Sequence, residues 1–444
     1  MSEQNGQNGA KPQEAPQGIT KITVGGYKSI AQEQSIEIRP LTILAGANSS
    51  GKSSIMQPLL LLKQTLEASY EPETLLLDGR NINVTSAEQI LSKIGDERFG
   101  VFSIGIEINS DVILTTSYTG RGLRLDQMSL RDEDGLTTYR LNMPSDEIRH
   151  ENEDLLRLYL HPSRLGSDVV FEYQVSHDRC FFQVDTIVKR DDGSVLTKFE
   201  SMPAEDVEIH LLESIHLPGL RGGPVRVYPA TAVGPVYPGV FDDYTASVVA
   251  HWRTSEDIDR LSLLQNQLFL LGLTGMVAAD FVTDTQLVVK VGRTLQSDLT
   301  DMVSIADVGI GVSQTLPILV ALLAAKPGQL VYLEQPEVHL HPRAQTAMAQ
   351  VLADAAMRGV RVVAETHSSL LLLGVQTLVA EGKLPPELVK LHWFTRGDDG
   401  ATTIRSADLD EGGAFGDWPE DFGDVSLDAQ DRFLDAAERH LLKR

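Results

Sequence analysis

Leu41-Thr42-Ile43-Leu44-Ala45-Gly46-Ala47-Asn48-Ser49-Ser50-Gly51-Lys52-Ser53-Ser54 decides how the rest of the chain is read. Its second half matches the phosphate-binding loop GxxxxGK[ST] without deviation. It also has the context that loop needs: an apolar strand before it and a helix after it. Glycines let the backbone wrap phosphate oxygens, and exposed amides at the helix N-terminus hold the negative charge. Residues Gly46, Ala47, Asn48, Ser49, Ser50, Gly51, Lys52, Ser53 and Ser54 are therefore the nucleotide-binding candidates. Lys52 is expected to reach the outer phosphates and Ser53 to ligate magnesium. The helix is predicted over 52–68, with Ile55, Met56, Leu59, Leu62 and Leu66 on one face and a kink at Pro58.

Working outward, Leu330-Val-Tyr-Leu-Glu334-Gln335-Pro336-Glu337 is an apolar strand that ends in an acid. Beside a phosphate loop, such a carboxylate can hold the cation directly or through water, so Glu334 joins Ser53 as a metal candidate. Val362-Val-Ala-Glu365-Thr366-His367-Ser368 is a second strand that ends in a polar cluster. Neighbouring parallel strands bring their C-terminal ends to one edge, where ligands bind, which puts His367 near the terminal phosphate or the attacking water. Asp307-Val-Gly309-Ile-Gly311-Val-Ser313-Gln314 precedes a long apolar helix and suits either an anion site or a helix cap. Helix and strand alternate from about residue 314 to 366, the mark of a parallel α/β sheet.

The rest is organised more loosely. Short strands are predicted at 19–26, 35–40 and 41–46, an antiparallel run over 99–145, and further strands from 171 to 202. A charged helix is expected near 146–166. A strand should resume at 224 (PVRVYPA), followed by a helical block over 244–280. A strand pair, QLVVKVG and DMVSIAD, comes next. A hairpin joins VKLHWFTR and ATTIRSA, and a last amphipathic helix covers about 426–441. The division this suggests is a polar tail at 1–18, an N-terminal lobe at 19–145, an insertion at 146–223, a C-terminal lobe at 224–385 and a small C-terminal domain at 386–444.

Composition sets the outer limits. The chain has 444 residues, which calls for two or three sub-domains. A single cysteine, Cys180, rules out an internal disulfide and fits a reducing cytoplasm. No apolar run reaches the roughly 18 residues of a membrane span, and the N-terminal stretch lacks a secretory pattern. A net charge of -24 argues against non-specific DNA binding by the monomer as a whole, while leaving room for a local basic groove or a basic partner. Gln89 reads as either a Q-loop residue or a solvated glutamine. His339 and His341 lack a third ligand at zinc spacing. Arg221 and Arg226 in LRGGPVRV read as surface loop arginines or as contacts to phosphate or nucleic acid.

Together these motifs resemble the ABC-type head ATPases, the RecF, SMC and OLD group of AAA-like proteins. ITKITVGGYKSI is similar to the family's opening, SIADVGIGVSQTLPIL stands where the signature sits, LEQPEVHLHPRAQ matches the second acidic motif and D-loop, and ETHSSLL the switch-histidine segment. The tail FTRGDDGATTIRSADLDEGG with DWPEDF looks like a bacterial branch that ends in a small domain of unknown function. The resemblance implies an α/β P-loop head with an antiparallel β subdomain, a helical and β insertion, and a small C-terminal hairpin-helix extension. It implies ATP and Mg2+ held between two heads, the signature segment acting in trans on the partner's nucleotide. Ser313 is the expected γ-phosphate contact, with Gly311 as the alternative and Gln314 beside them. Gln335 stands where the family usually carries a glutamate base. An amide is a poor proton acceptor but can orient water, so slow hydrolysis is expected, or use of Glu337 or His367 instead. On this view the protein is a homodimer that controls a separate effector, and family association suggests antiviral defence. A RecF-like DNA-repair clamp and a non-hydrolysing ATP-dependent scaffold are the competing readings.

Overall fold

The computed structural model describes residues 17–120, 122–148, 169–416 and 432. The expected polar tail, the charged helix over most of 146–166 and the last helix at 426–441 lie almost wholly outside them. In chain order the first strands are β1 (Ile19–Gly25), β2 (Gln34–Glu37) and β3 (Leu41–Gly46), followed by α1 (Lys52–Leu66), which continues through Pro58. The short pair β4 (Lys93–Ile94) and β5 (Glu97–Arg98) precedes β6 (Val101–Ile108), β7 (Val112–Thr119), β8 (Arg124–Asp132) and β9 (Gly135–Tyr139). Next come β10 (Val169–Asp178), β11 (Phe181–Arg190), β12 (Val195–Ser201), α2 (Glu205–Glu213), β13 (Ile215–Leu217) and β14 (Tyr228–Pro229). Helices α3 (Thr245–Thr254) and α4 (Ile258–Leu270) lead to β15 (Val277–Thr283), β16 (Gln286–Gly292) and β17 (Met302–Ser304). The C-terminal part is α5 (Ile310–Ala324), β18 (Leu330–Glu334), α6 (Pro342–Met357), β19 (Arg361–Thr366), α7 (Ser369–Ala380), β20 (Val389–Arg396) and β21 (Thr402–Ala407).

A six-stranded sheet in the order β13-β18-β19-β3-β20-β21 forms the centre. All its pairings are parallel except β20 with β21. Strands buried on both faces read as continuous apolar runs, and LVYL, VVA and LTIL do so here. The two-residue alternation then assigns each side chain to a layer. Ile43, Val331, Leu333, Val362 and Ala364 pack into the core that contains α5, α6 and α7. Leu44, Leu330, Tyr332 and Val363 pack into the opposite core, with α1 and the antiparallel sheet β2-β1-β6-β7-β8-β9.

Four expectations change. PVRVYPA pairs only through Tyr228 and Pro229, and Val225 and Val227 are exposed; Pro224 and Pro229 lack the N–H that a ladder needs. The helical block ends at Leu270. Gly272 adopts φ +69°, and the segment Val277–Thr283 becomes β15, antiparallel to β16. The hairpin β20–β21 is not a separate unit, because β20 lies beside β3 in the central sheet. Likewise β13, inside the expected insertion, is the edge strand next to β18.

Candidate functional site

The phosphate loop is built by close backbone approaches. Gly46 has φ +147°, and a Cβ there would lie 2.3 Å from the Phe394 carbonyl oxygen of β20. Gly51 has φ +99°, and its Cβ would lie 2.3 Å from Thr402 Oγ1 of β21. Thr402 Oγ1 donates to the Ser50 carbonyl at 2.8 Å, so the C-terminal hairpin backs the loop directly. Lys52 Nζ is buried and donates to the carbonyls of Gly46 at 3.1 Å and Ala47 at 2.8 Å. Burial lowers its pKa, against the pull of Glu365 and Glu337. A cavity of about 660 Å³ opens over the loop. Asn48 to Ser54 line it, joined by Gln335, Glu365, His367, Lys28, Gln89, Lys93 and Arg396. Gln89 thus reaches the cavity while its Oε1 accepts from the Thr85 N–H. Ser50 Oγ is buried without a partner inside this cradle.

The acids are arranged differently from the expectation. Ser53 Oγ lies 2.8 and 3.1 Å from the two carboxylate oxygens of Glu365, to which it donates. Tyr332 donates to the same carboxylate at 3.0 Å. Glu334 does not meet Ser53: its Oε1 is 3.1 Å from His216 Nε2, and its Oε2 accepts from the Gly219 N–H at 3.1 Å. Burial pushes the Glu365 carboxyl up, opposed by the Ser53 bond and reinforced by the Glu334 charge. Burial also works on Glu334, but the His216 and Gly219 bonds outweigh it and hold that carboxyl low. The hydroxyl and carboxylate at the head of α1 are hard oxygen donors and fit a magnesium ion.

Of the expected water-activating residues, Gln335 and His367 line the cavity and Glu337 does not. Gln335 sits at φ +47°, its N–H bonded to the Glu365 carbonyl at 2.8 Å. Burial first, and the Lys52 charge second, keep the His367 ring's pKa down. Glu337 is only 5% exposed. Its Oε1 accepts from Thr366 Oγ1 at 2.5 Å and from the His367 N–H at 3.1 Å, so it braces the switch segment from behind. Burial raises its pKa, with the Thr366 bond opposing.

The signature-like segment stands apart from this cavity; neither Gly311, Ser313 nor Gln314 lines it. Ser313 is turned inward, 8% exposed, and its hydroxyl donates to the Ile310 carbonyl at 3.0 Å within the first turn of α5. That geometry disfavours Ser313 as the outward contact. Gly311 borders a separate hollow of about 240 Å³ with Gly309, Gly272 and Arg293, and Ile310 is 49% exposed. Gln314 Nε2 donates to the Gly222 carbonyl at 3.1 Å.

Arg221 is no surface arginine. It is 7% exposed and donates to the carbonyls of Gln314 at 3.1 Å, Glu334 at 2.9 Å and Gln335 at 3.3 Å. Burial brings its pKa down to about 10. The guanidinium therefore ties the start of α5 to the end of β18. Arg226 forms an exposed ion pair with Asp307. His341 caps α6 through Nδ1, and no cluster of three or more metal-binding side chains occurs among the described residues.

Comparison with known proteins gives two family matches. Residues 18–155 match the family model described as "AAA ATPase domain", and residues 238–373 match the one described as "AAA domain, putative AbiEii toxin, Type IV TA system". The chain carries an AAA-type ATPase head. The two matched segments of this ATPase head contain, respectively, the phosphate loop and the strand ends that face it. No curated protein matches the chain. Among solved structures it is similar to an Smc head bound to the C-terminal winged-helix domain of ScpA, at 13% identity, 89% of this chain, 98% of that one and a TM-score of 0.45. It is also similar to the SMC head domain from Thermotoga maritima, at 10% identity, 88% and 100% coverage and a TM-score of 0.39. A third similarity is to the Smc head of Pyrococcus furiosus bound to ScpA, at 11% identity, 88% and 96% coverage and a TM-score of 0.40. No helix among the described residues is long and apolar enough to cross a membrane.

Proposed function

We propose that this ATPase head binds ATP with Mg2+ over Gly46–Ser54, pairs with a second copy through composite sites, and hydrolyses slowly enough for the paired state to act as a signal to a separate effector. The observation that carries the reading is Gln335: the position that faces the cavity at the end of β18 holds an amide, and Glu337, the nearest acid in sequence after it, is buried behind the switch segment. Lys52 would exchange its two carbonyl acceptors for phosphate oxygens. Gln335 would orient the attacking water, and the neutral His367 ring would accept a hydrogen bond or a proton at the same edge. Magnesium, when bound, neutralises charge on the outer phosphates. The toxin–antitoxin wording of one matched family is in keeping with control of a partner effector in a defence system.

The start of α5, where Gly309 and Ile310 are exposed and do not line the chain's own nucleotide cavity, supports action in trans. Lys52→Ala should abolish nucleotide binding. Ile310→Glu should leave nucleotide binding intact while blocking pairing. Mixing the two variants should restore part of the ATP-dependent dimer measured by native mass, since one composite site per pair regains both halves. Unchanged nucleotide affinity in Lys52→Ala would sink the binding site, and a mixture no better than its parents would sink the trans arrangement.

A further inference from the structure

Two acids end neighbouring strands of the central sheet, Glu334 on β18 and Glu365 on β19, directly opposite each other in the ladder. The strand order puts β19 next to the phosphate-loop strand β3 and β18 one position farther out. Adjacent strands are about 4.8 Å apart, so the outer acid starts roughly that much farther from α1.

The two carboxylates are also engaged in opposite directions. Both oxygens of Glu334 are occupied on the side away from the loop, by His216 Nε2 and the Gly219 N–H. His216 is itself fixed: its Nδ1 is 2.9 Å from Asn81 Oδ1, and its ring stacks on Tyr332 with centroids 5.4 Å apart. Swinging Glu334 toward Ser53 would leave a buried imidazole and a backbone N–H without their acceptor. Glu365 needs no such movement. Its carboxylate already spans the Ser53 hydroxyl and is held from behind by Tyr332.

We propose that Glu365, rather than Glu334, is the carboxylate that works with Ser53 on the divalent cation accompanying the nucleotide. Glu334 is instead a clasp that holds β13 and the loop after it against β18. This assignment rests on the nucleotide reading given above and goes beyond it by exchanging the roles of the two strand-end acids.

The test is direct metal binding. Free Mn2+ would be followed by electron paramagnetic resonance, with the wild type, Glu365→Gln and Glu334→Gln each saturated with a non-hydrolysable ATP analogue; nucleotide affinity in EDTA is measured in parallel. Glu365→Gln should weaken Mn2+ binding tenfold or more, within the 10- to 100-fold range typical of residues that set a metal site. Glu334→Gln should change it by less than about threefold and should instead lower the melting temperature. Metal-free nucleotide affinity should stay unchanged in both. If Glu365→Gln does not fold, Glu365→Asp carries the same comparison. Ser53→Ala combined with Glu365→Gln should lose less than the two single losses together, because both act on one ion. A loss carried by Glu334→Gln, or equal losses in the two variants, would overturn the assignment. A wild type that binds the analogue in neither EDTA nor Mn2+ would overturn the nucleotide reading itself, and the assignment with it.

Discussion

His392 makes the joint between the C-terminal hairpin and the central sheet sensitive to acid. It lies fully buried on β20, with Nδ1 2.8 Å from Ser406 Oγ and Nε2 2.8 Å from the Glu37 carbonyl oxygen. Burial, partly opposed by the Glu37 bond, lowers its pKa from 6.5 to about 4. Above about pH 7.5 neither the folded nor the unfolded chain protonates it, and it costs nothing. As the pH falls through 6.5 the unfolded chain takes up a proton that the folded chain refuses, so acid favours unfolding. At 1.36 kcal/mol per unit of pKa, the penalty is about 1.4 kcal/mol at pH 5.5 and about 2 kcal/mol at pH 5. It reaches its ceiling of about 3 kcal/mol only below pH 4. Lys390, Arg39, Glu37 and Asp408 surround the site as an ion-pair network. The Glu37 and Asp408 carboxyls are held low, so their own losses come at more acidic pH. Urea midpoints of the wild type and His392→Gln, compared from pH 7.5 to 5, isolate the histidine. The variant should be less stable at pH 7.5 but should lose about 2 kcal/mol less on acidification. Parallel curves for the two proteins would refute a histidine held neutral by burial.

Two further predictions concern the strand ends. Arg221→Met removes three bonds from a cation, about 1.5 kcal/mol each at the low end, while relieving about 3 kcal/mol of burial cost, so a net loss of about 1–2 kcal/mol is expected; a melting temperature equal to the wild type's would refute the strut. Because Arg221 does not line the cavity, nucleotide affinity should survive the change, as titration with a fluorescent ATP analogue can check. Gln335→Glu should raise phosphate release by about tenfold, below the full 10²–10⁴ of general-base help, since the new acid would be crowded by Glu334 and Glu365; a slower variant would show that the amide itself positions the water.

Much of this architecture was legible in the residues. The loop Gly46–Ser53, the apolar strand leading to Glu334 and the one leading to His367 each carry their own local signature, and the alternating layers of the central sheet follow from their period. What local pattern could not carry was neighbourhood. Which strand-end acid meets Ser53 depends on β19 lying between β18 and β3, an order that spacing along one chain does not encode. Arg221 looked like a surface arginine because it stands in the loop-like, glycine- and proline-containing run LRGGPVRV; only the packing of its loop against α5 and β18 buries it. VAADFVT, apolar throughout its first half, fits a buried helix or strand equally well until its partner QLVVKVG is in place. The direction of the Ser313 hydroxyl was out of reach for a related reason, since helical phase at the first turn of α5 decides whether it faces outward or back onto Ile310.

The hairpin behind the phosphate loop bears on how the protein is made. Thr402 is 352 positions beyond Ser50, whose carbonyl it holds. A ribosome adds residues in order, and segments fold as they emerge. Throughout most of synthesis, then, β3 has an open flank, and Gly46 and Gly51 lack the surfaces that shape them. The nascent chain can complete its antiparallel sheet and α1 early, yet the cradle for phosphate closes only when β20 slots in beside β3. Completion of that cradle is in this way deferred until nearly all of the head has been translated, so that a half-made head lacks the loop geometry of the finished one.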